Sequence, residues 1–299
     1  MDALVGIEGR VEMNTGSAQV AHSASSDDTD EALELLTGRA LVLLTGAGLS
    51  TDSGIPDYRG PGSVNRSPMT YQEFISGPEA QRRYWARSYL GWATMGKAQP
   101  NAGHRAVAAI DPVLLITQNV DGLHEAAGSA RIVPLHGRIA EVVCLGCGTV
   151  SDRAGFQEVL ARANSGFAEE RAGRQVLPDG DAALEDTSGF VVPPCERCGG
   201  VLKPHVVFFG ENVPKERVAR CYAAVEELAD VQGALLVAGS SLTVMSGLRF
   251  VRRAAEWQVP IVIVNRGETR GDPLATRKLE TGCSEFLSAL AIRADAQRA

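Results

Sequence analysis

The stretch LVLLTGAGLSTDSGIPDYRG at residues 41–60 combines a glycine-rich turn with a dense set of polar side chains. Four apolar residues and Thr45 precede the turn, a pattern typical of a buried parallel strand that leads into a helix. Gly46 and Gly48 allow the backbone to turn sharply and to approach a phosphate, whose charge the N–H groups of a helix N-terminus favour. Because Thr51 replaces the third glycine of a GxGxxG pattern, the turn predicts either a nucleotide site or a plain tight turn.

Five apolar stretches end in a small or polar residue, and these residues are Gly46, Gln118, His136, Gly239 and Asn265. The carboxyl ends of parallel strands meet at one edge of a sheet, and open α/β sheets bind their ligands there. The sequence therefore predicts one ligand-binding edge to which all five stretches contribute.

Four cysteines form two Cys-x-x-Cys pairs, each followed by glycine, at Cys144 with Cys147 and at Cys195 with Cys198. Four thiolates can close a tetrahedral zinc site that leaves no open position for a substrate. Disulfides fit a reducing compartment poorly, and a redox Cys-x-x-Cys normally comes as one pair. We therefore predict one structural zinc ion in a ribbon module with an acidic insertion between the pairs.

Apolar strands that alternate with helices position these residues. The alternation predicts an α/β fold with a doubly wound, parallel, Rossmann-like sheet. Residues 68–99 instead carry aromatic residues at helical spacing, which indicates a small helical module. The predicted boundaries are 1–29 for a flexible lead-in, 30–61, 104–138 and 203–295 for the Rossmann-like domain, 62–103 for the inserted helical module and 139–202 for the inserted zinc-binding module.

Helix and strand signals give more detailed expectations. Helices are predicted over 30–36, 79–95, 215–229 and 246–257, and Asn101 is expected to cap a helix that runs to residue 109. The segment 203–212 is expected to return to the main sheet as a strand and a loop.

Composition narrows the class of protein. The 299 residues are 44% hydrophobic and 22% charged, which is ordinary for a soluble globular protein. The net charge of −7 argues against a nucleic-acid or anionic-membrane binder. The sequence shows no apolar run of membrane-spanning length and no secretory signal, so we expect a cytoplasmic protein.

With these residues assembled, the chain closely resembles the sirtuin family. The matching segments are GAGLSTDSGIPDYRG at 46–60, TQNVDGLH at 117–124, LHG at 135–137, the two cysteine pairs, VVFFGENVP at 206–214, GSSLTV at 239–244 and NRG at 265–267. They cover roughly residues 30 to 290. The segment RRYWARSYLGW at 82–92 and the acidic insertion are most similar to the class II branch.

The resemblance implies an NAD-dependent protein-lysine deacylase. In that family the acyl-lysine carbonyl oxygen attacks the nicotinamide ribose, nicotinamide leaves, and the acyl group passes to ADP-ribose. A ribose hydroxyl is a poor nucleophile, and a histidine has a suitable pKa to act as its base. His136 matches the catalytic histidine, and Asn119 and Asp121 complete the implied catalytic set. His104 is expected at a helix start and His124 beside the site.

The resemblance also implies the binding residues. The NAD-binding set is Gly46, Ala47, Gly48, Ser50, Thr51, Ile55, Pro56, Asp57, Tyr58, Arg59, Gln118, Asn119, Asp121, Gly239, Ser240, Ser241, Asn265, Arg266, Gly267 and Cys283. Of these, Cys283 has the alternative of a core cysteine. The substrate peptide is expected to add as a strand between two segments, 206–210 and 241–244, and the substrate set includes Val206, Val207, Phe208, Phe209 and Gly210.

Tyr84 and Arg87, spaced i,i+3, are expected to share a helix face. Sirtuins that prefer acidic acyl groups carry a similar Tyr-x-x-Arg, whose arginine pairs with the distal carboxylate. The alternative places Tyr84 in the core of the helical module and Arg87 on a solvated face.

Two other functions stay open for the chain. A protein mono-ADP-ribosyltransferase would share the NAD site, and a non-catalytic NAD-sensing scaffold would share the fold. The expected partners are acyl-lysine proteins or peptides, without nucleic acid or membrane.

Overall fold

The structure is a computed structural model that describes residues 25–57, 68–169, 184 and 186–298. The predicted NAD-binding residues Tyr58 and Arg59, and most of the predicted lead-in, lie outside this part of the chain. Its α-helices are α1 (Ser26–Leu36), α2 (Tyr71–Ile75), α3 (Pro78–Met95), α4 (Ala102–Ile110), α5 (Leu123–Ala126), α6 (Arg153–Ala163), α7 (Lys215–Asp230), α8 (Met245–Glu256) and α9 (Cys283–Arg298). Its strands are β1 (Leu41–Thr45), β2 (Leu114–Thr117), β3 (Ile132–Pro134), β4 (Gly137–Cys144), β5 (Val150–Asp152), β6 (Leu202–Val206), β7 (Ala234–Ala238), β8 (Ile261–Val264) and β9 (Arg277–Leu279).

The main sheet is six-stranded and parallel, in the order β3-β2-β1-β7-β8-β9. Strands β1, β2, β7 and β8 are buried along their whole length, as their continuous apolar sequences require when helices cover both faces. The chain winds outward from β1 to β3 on one side and from β7 to β9 on the other. The order therefore reverses between β1 and β7, where a doubly wound sheet opens its ligand crevice.

Two hydrophobic cores lie on opposite faces of this sheet. One joins the sheet to α1, α4 and α9, and the other joins it to α7 and α8. The predicted doubly wound α/β architecture is confirmed.

The expectation that segment 203–212 returns to the main sheet is wrong. Strand β6 pairs antiparallel with β4 in a separate three-stranded sheet, in the order β5-β4-β6. Pro204 has no N–H to donate to a second neighbour, which suits an edge strand such as β6.

Two boundaries in the main domain also differ from expectation. Helix α1 begins at Ser26 rather than at Asp30, because the side chain of Ser25 accepts a hydrogen bond from the N–H of Asp28 and caps it earlier. Strand β9 was not predicted. Helix α4 has the expected N-cap, in which the Asn101 side chain accepts from the N–H of His104.

The predicted helical and zinc-binding modules share one hydrophobic core. Phe74, Tyr84 and Trp85 from α2 and α3 pack with Phe156 of α6 and Phe208. The two insertions therefore form a single small unit beside the main sheet. Within the described residues, no helix combines the length and the apolar character needed to span a membrane.

Candidate functional site

A cavity of about 590 Å³ lies along the carboxyl ends of β1, β2, β7 and β8. Residues 206–213, which end β6 and follow it, close its other side. All five predicted strand-end residues line this cavity, which confirms that they meet at one edge.

Most of the predicted site residues also line the cavity. They are Gly46, Ala47, Gly48, Ser50, Ile55, Pro56, Asp57, Tyr84, Gln118, Asn119, Asp121, His136, Val206, Val207, Phe208, Phe209, Gly210, Gly239, Ser240, Ser241, Asn265, Arg266 and Gly267. Of the predicted NAD-binding and substrate residues that the structure describes, three are not in this lining. Thr51 donates its hydroxyl to the carbonyl oxygen of Gly48, Cys283 donates its thiol to that of Val264, and Arg87 donates Nε–H to that of Leu184.

The glycine-rich turn packs backbone to backbone against the turn after β7. The N–H of Gly48 donates to the carbonyl oxygen of Gly239 at 2.9 Å, and a Cβ on Gly46 would lie 2.7 Å from that same oxygen. Gly239 has a φ of +68°, and a Cβ there would lie 2.4 Å from the backbone nitrogen of Leu49. The glycines at 46 and 239 are therefore needed because two turns meet across the crevice.

The expectation that β1 leads directly into an α-helix is wrong. The chain forms two single 3-10 turns, Ala47–Leu49 and Thr51–Ser53. Gly54, in the left-handed region, ends the second turn. The predicted tight glycine turn is present, and the short 3-10 turns follow it in place of a long α-helix.

His136 is held from both of its ring nitrogens. Nδ1 lies 2.9 Å from the carbonyl oxygen of Gln118, and Nε2 lies 2.7 Å from Oγ of Ser246. A carbonyl oxygen only accepts, so Nδ1 carries the proton and Nε2 has the lone pair. The pKa of His136 is lowered to about 4: burial is the largest cause, the bond to Gln118 partly opposes it, and the charge of nearby Arg217 adds to the lowering. The imidazole is therefore neutral at neutral pH and able to accept a proton.

Asn119, Asp121 and Ser50 form one hydrogen-bonded group beside the glycine turn. Ser50 donates its hydroxyl to Oδ2 of Asp121 at 2.7 Å, and Nδ2 of Asn119 lies 3.0 Å from Oγ of Ser50. Asn119 also donates to the carbonyl oxygen of Gly46 at 3.0 Å. The carboxylate and the amide are thus fixed at the cavity wall, where they can bind an amide or hydroxyl group of a ligand.

Gln118 links the catalytic side of the cavity to the turn after β7. Its Nε2 donates to Oγ of Ser240 at 2.7 Å. A Cβ on Gly247 of α8 would lie 2.9 Å from Oε1 of Gln118, so α8 packs tightly on this side chain.

His104 and His124 lie behind the site rather than in it. Both are fully buried, and burial lowers the pKa of each, to about 3 for His124. His124 Nε2 lies 3.0 Å from Oγ1 of Thr45, which donates to Thr117 at 3.0 Å, and Thr117 accepts from the N–H of Asn119. The expected positions of both histidines are confirmed, and His124 supports Asn119 through this chain of bonds.

The four predicted zinc ligands come together. Their sulfur atoms all lie within 4.8 Å of one another, with 3.4 Å between Cys144 and Cys198 and 3.9 Å between Cys147 and Cys195. Four thiolates around zinc at about 2.3 Å stand about 3.8 Å apart, so the cluster fits a tetrahedral ion. The N–H of Gly146 points to Cys144 Sγ at 3.4 Å, as at a zinc knuckle. The site lies away from the cavity and is structural.

Two features of the cavity region escaped the sequence analysis. Ser246 contacts His136, the candidate base. Its position near the start of a helix gives no sign of this contact, because a serine there normally indicates an N-cap. Lys203, only 3% exposed, pairs with Glu211 at 3.0 Å under the loop that closes the cavity. The sequence signal that could have found this pair is a lysine within a predicted strand, because lysine is rarely buried without a charged partner.

Comparisons with known proteins agree with this geometry. The family model described as the Sir2 family matches residues 46–246. NAD-dependent protein deacetylase 1 of Mycobacterium avium (strain 104) is 51% identical over 271 residues, which cover 88% of this chain and 95% of that protein. NAD-dependent protein deacetylase 1 of Streptomyces coelicolor (strain ATCC BAA-471 / A3(2) / M145) is 55% identical over 268 residues, covering 87% of this chain and 88% of that protein.

Solved structures give the same result. A Sir2 complex with p53 peptide and NAD+ superposes with a TM-score of 0.70 at 29% identity, covering 90% of this chain and 99% of that one. A structure solved for the mechanism and regulation of Sir2 enzymes also gives a TM-score of 0.70, at 27% identity, with 92% and 100% covered.

Proposed function

The chain belongs to the Sir2 family, and on that premise we propose that it is an NAD-dependent protein-lysine deacylase. It would transfer the acyl group to ADP-ribose and release nicotinamide. The observation that carries the proposal is the position of His136. This neutral imidazole lines the same cavity as both glycine turns and the segment 206–210.

The cavity wall fits NAD in shape and in chemistry. The turns at Gly46 and Gly239 leave no room for side chains, and polar groups surround them. Ala47, Ser50 and Asp57 would hold the phosphates and nicotinamide, Gln118 the ribose, and Ser240 with Asn265 the adenosine. When bound, NAD supplies the ribose carbon that receives the acyl oxygen and the nicotinamide that leaves.

His136 would act as general base on a ribose hydroxyl. Its Nδ1–H bond to Gln118 keeps the lone pair on Nε2, so Nε2 is the atom that takes the proton. Asp121, fixed by Ser50, would accept a hydrogen bond from the nicotinamide carboxamide.

The peptide would bind between segments 206–210 and 241–244, both of which line the cavity. An extended peptide bound through its main chain depends little on its own sequence. We therefore propose acyl-lysine proteins as substrates without a specific target.

The identity of the acyl group stays a prediction, as does the class II branch. Tyr84 lines the cavity, whereas Arg87 bonds the carbonyl oxygen of Leu184 outside it. This arrangement supports acetyl-lysine over acidic acyl groups. All six cysteines are unpaired, which supports the reducing cytoplasm as the compartment.

Product analysis with His136→Ala tests the proposal. Mass spectrometry of the parent on an acetyl-lysine peptide should show O-acetyl-ADP-ribose and free lysine. His136→Ala should retain NAD binding and lose about 10²- to 10⁴-fold in deacylation rate, the usual contribution of a general base. ADP-ribosylated peptide would indicate the transferase instead, and no turnover by the zinc-loaded parent would indicate the scaffold.

A further inference from the structure

Ser246 contacts the candidate base on the side opposite to Gln118. Its Oγ lies 2.7 Å from Nε2 of His136, and the residue is 8% exposed, so little water competes for this contact. Among the described residues, no second hydrogen-bond partner of this hydroxyl appears. A serine at the second position of a helix normally bonds its own backbone. Ser246 bonds the histidine instead.

The chemistry of a hydroxyl suits both protonation states of the base. Because Nδ1 donates to a carbonyl, Nε2 of the neutral ring accepts the Ser246 proton. Nε2 has one lone pair, so a ribose hydroxyl must replace the Ser246 proton there before it can give its own proton to Nε2. Once Nε2 is protonated, the same Oγ can turn a lone pair toward the ring and accept from the new Nε2–H. That second bond involves an imidazolium and is the stronger of the two, because one partner is charged.

The fold keeps Oγ in this position. Ser246 lies on α8, and its neighbour Gly247 packs on Gln118, which accepts from Nδ1 through its carbonyl. The helix that carries Ser246 is thus packed against the residue whose carbonyl oxygen accepts from Nδ1. The ring cannot turn without breaking a bond on one side.

We propose that Ser246 is a positioning residue for His136, holding the ring before proton transfer and accepting from Nε2–H after it. The inference rests on the proposed deacylase function. Ser246 should therefore affect the step that needs the base. It should not affect the earlier loss of nicotinamide, which needs no base.

Two assays on the zinc-loaded protein separate these steps, namely acetyl-lysine deacylation and exchange of labelled nicotinamide into NAD in the presence of the peptide. Ser246→Ala should lower kcat for deacylation about three- to tenfold, the range expected for one hydrogen bond, and leave exchange within about twofold. Ser246→Thr keeps the hydroxyl and should restore deacylation. Ser76→Ala, an exposed serine at the end of α2, serves as the matched control.

Ser246→Thr and Ser246→Val form a second pair with nearly the same shape, which keeps the test valid if alanine disturbs α8. A difference between them in deacylation alone supports the proposal. Equal loss of deacylation and exchange in the alanine and valine variants, or no loss in either, would overturn it. A parent that catalyses neither reaction contradicts the proposed function itself, and the inference with it.

Discussion

At His136, burial and hydrogen bonding change the imidazole pKa in opposite directions. Desolvation lowers the pKa and is the larger effect, while the bond to the Gln118 carbonyl raises it, and the resulting pKa is about 4. The pH profile of kcat/KM reports ionisations of the free enzyme. We therefore expect the acidic limb of the kcat/KM profile to have an apparent pKa near 4, well below the ordinary histidine pKa of about 6.5. Initial rates from about pH 3 to pH 8 at low peptide concentration would measure it.

A limb at pH 6.5 or above would contradict this prediction. Unfolding has to be excluded, because buried His104 and His124 also have lowered pKa values. A histidine whose folded pKa is depressed contributes stability above its unfolded pKa of about 6.5, and this stability is lost as the pH falls toward the folded pKa. Circular dichroism at each pH separates loss of fold from titration of the base.

At the scale of residues, the sequence predicted which residues lie at the strand ends, but it did not predict which groups the other side chains contact. Gly46, Gln118 and Asn265 follow apolar strands, and parallel pairing alone brings them together. Arg87 could not be placed from spacing, because the docking of α3 decides which carbonyl it meets. Ser246 could not be found either, since its partner lies far away in the sequence.

At the scale of elements, local patterns predicted the strands and helices of the main sheet. They did not predict the partner of β6, because antiparallel pairing with β4 depends on how the chain returns from the zinc cluster. The shared core of the two inserted modules was missed for the same reason, since Trp85 and Phe156 come from distant helices.

Lys203 of β6 fixes the loop that closes the cavity. Its Nζ donates to the carbonyl oxygen of Val206 at 2.5 Å and pairs with Glu211, whose carboxylate also accepts from the N–H of Phe208. The ammonium group lies 4.6 Å from the centre of the Phe208 ring. One buried cation therefore bonds the first residue of the segment 206–210, which is proposed to bind the peptide, and the residue that follows this segment.

Lys203→Met should loosen this segment. We expect a loss of about 1.5–3 kcal/mol in the free energy of unfolding, as for lost hydrogen bonds to a charged group, and a higher KM for the peptide with an unchanged KM for NAD. Urea unfolding and kinetics with each substrate varied would measure both. Lys215→Met, the same change at an exposed lysine, should alter neither. Equal changes in the two KM values would mean that Lys203 acts on the whole site.

For the molecule as a whole, two strands connect the zinc cluster to the catalytic edge. Strand β4 begins beside His136 and ends at the zinc ligand Cys144. Strand β6 follows Cys198 and ends at Val206, where the N–H of Val207 donates to the carbonyl oxygen of His136 at 2.8 Å. Gly137, with a φ of +84°, lets the strands meet closely, because a Cβ there would lie 2.0 Å from the carbonyl oxygen of His205.

This connection predicts what zinc removal does. Structural zinc in small domains contributes about 10–16 kcal/mol of apparent binding free energy, comparable to the whole stability of a domain, so Cys198→Ser should unfold the zinc-binding unit. Disorder at the ends of β4 and β6 should then abolish deacylation, although no zinc ligand lines the cavity. The main sheet has its own two cores, so NAD binding should persist in part.

Elemental analysis should give one zinc per parent chain, and calorimetry with NAD would compare parent and variant. A zinc-free protein with full activity would contradict the structural role. Cys221→Ser, at a buried cysteine of α7 outside the cluster, should keep the zinc.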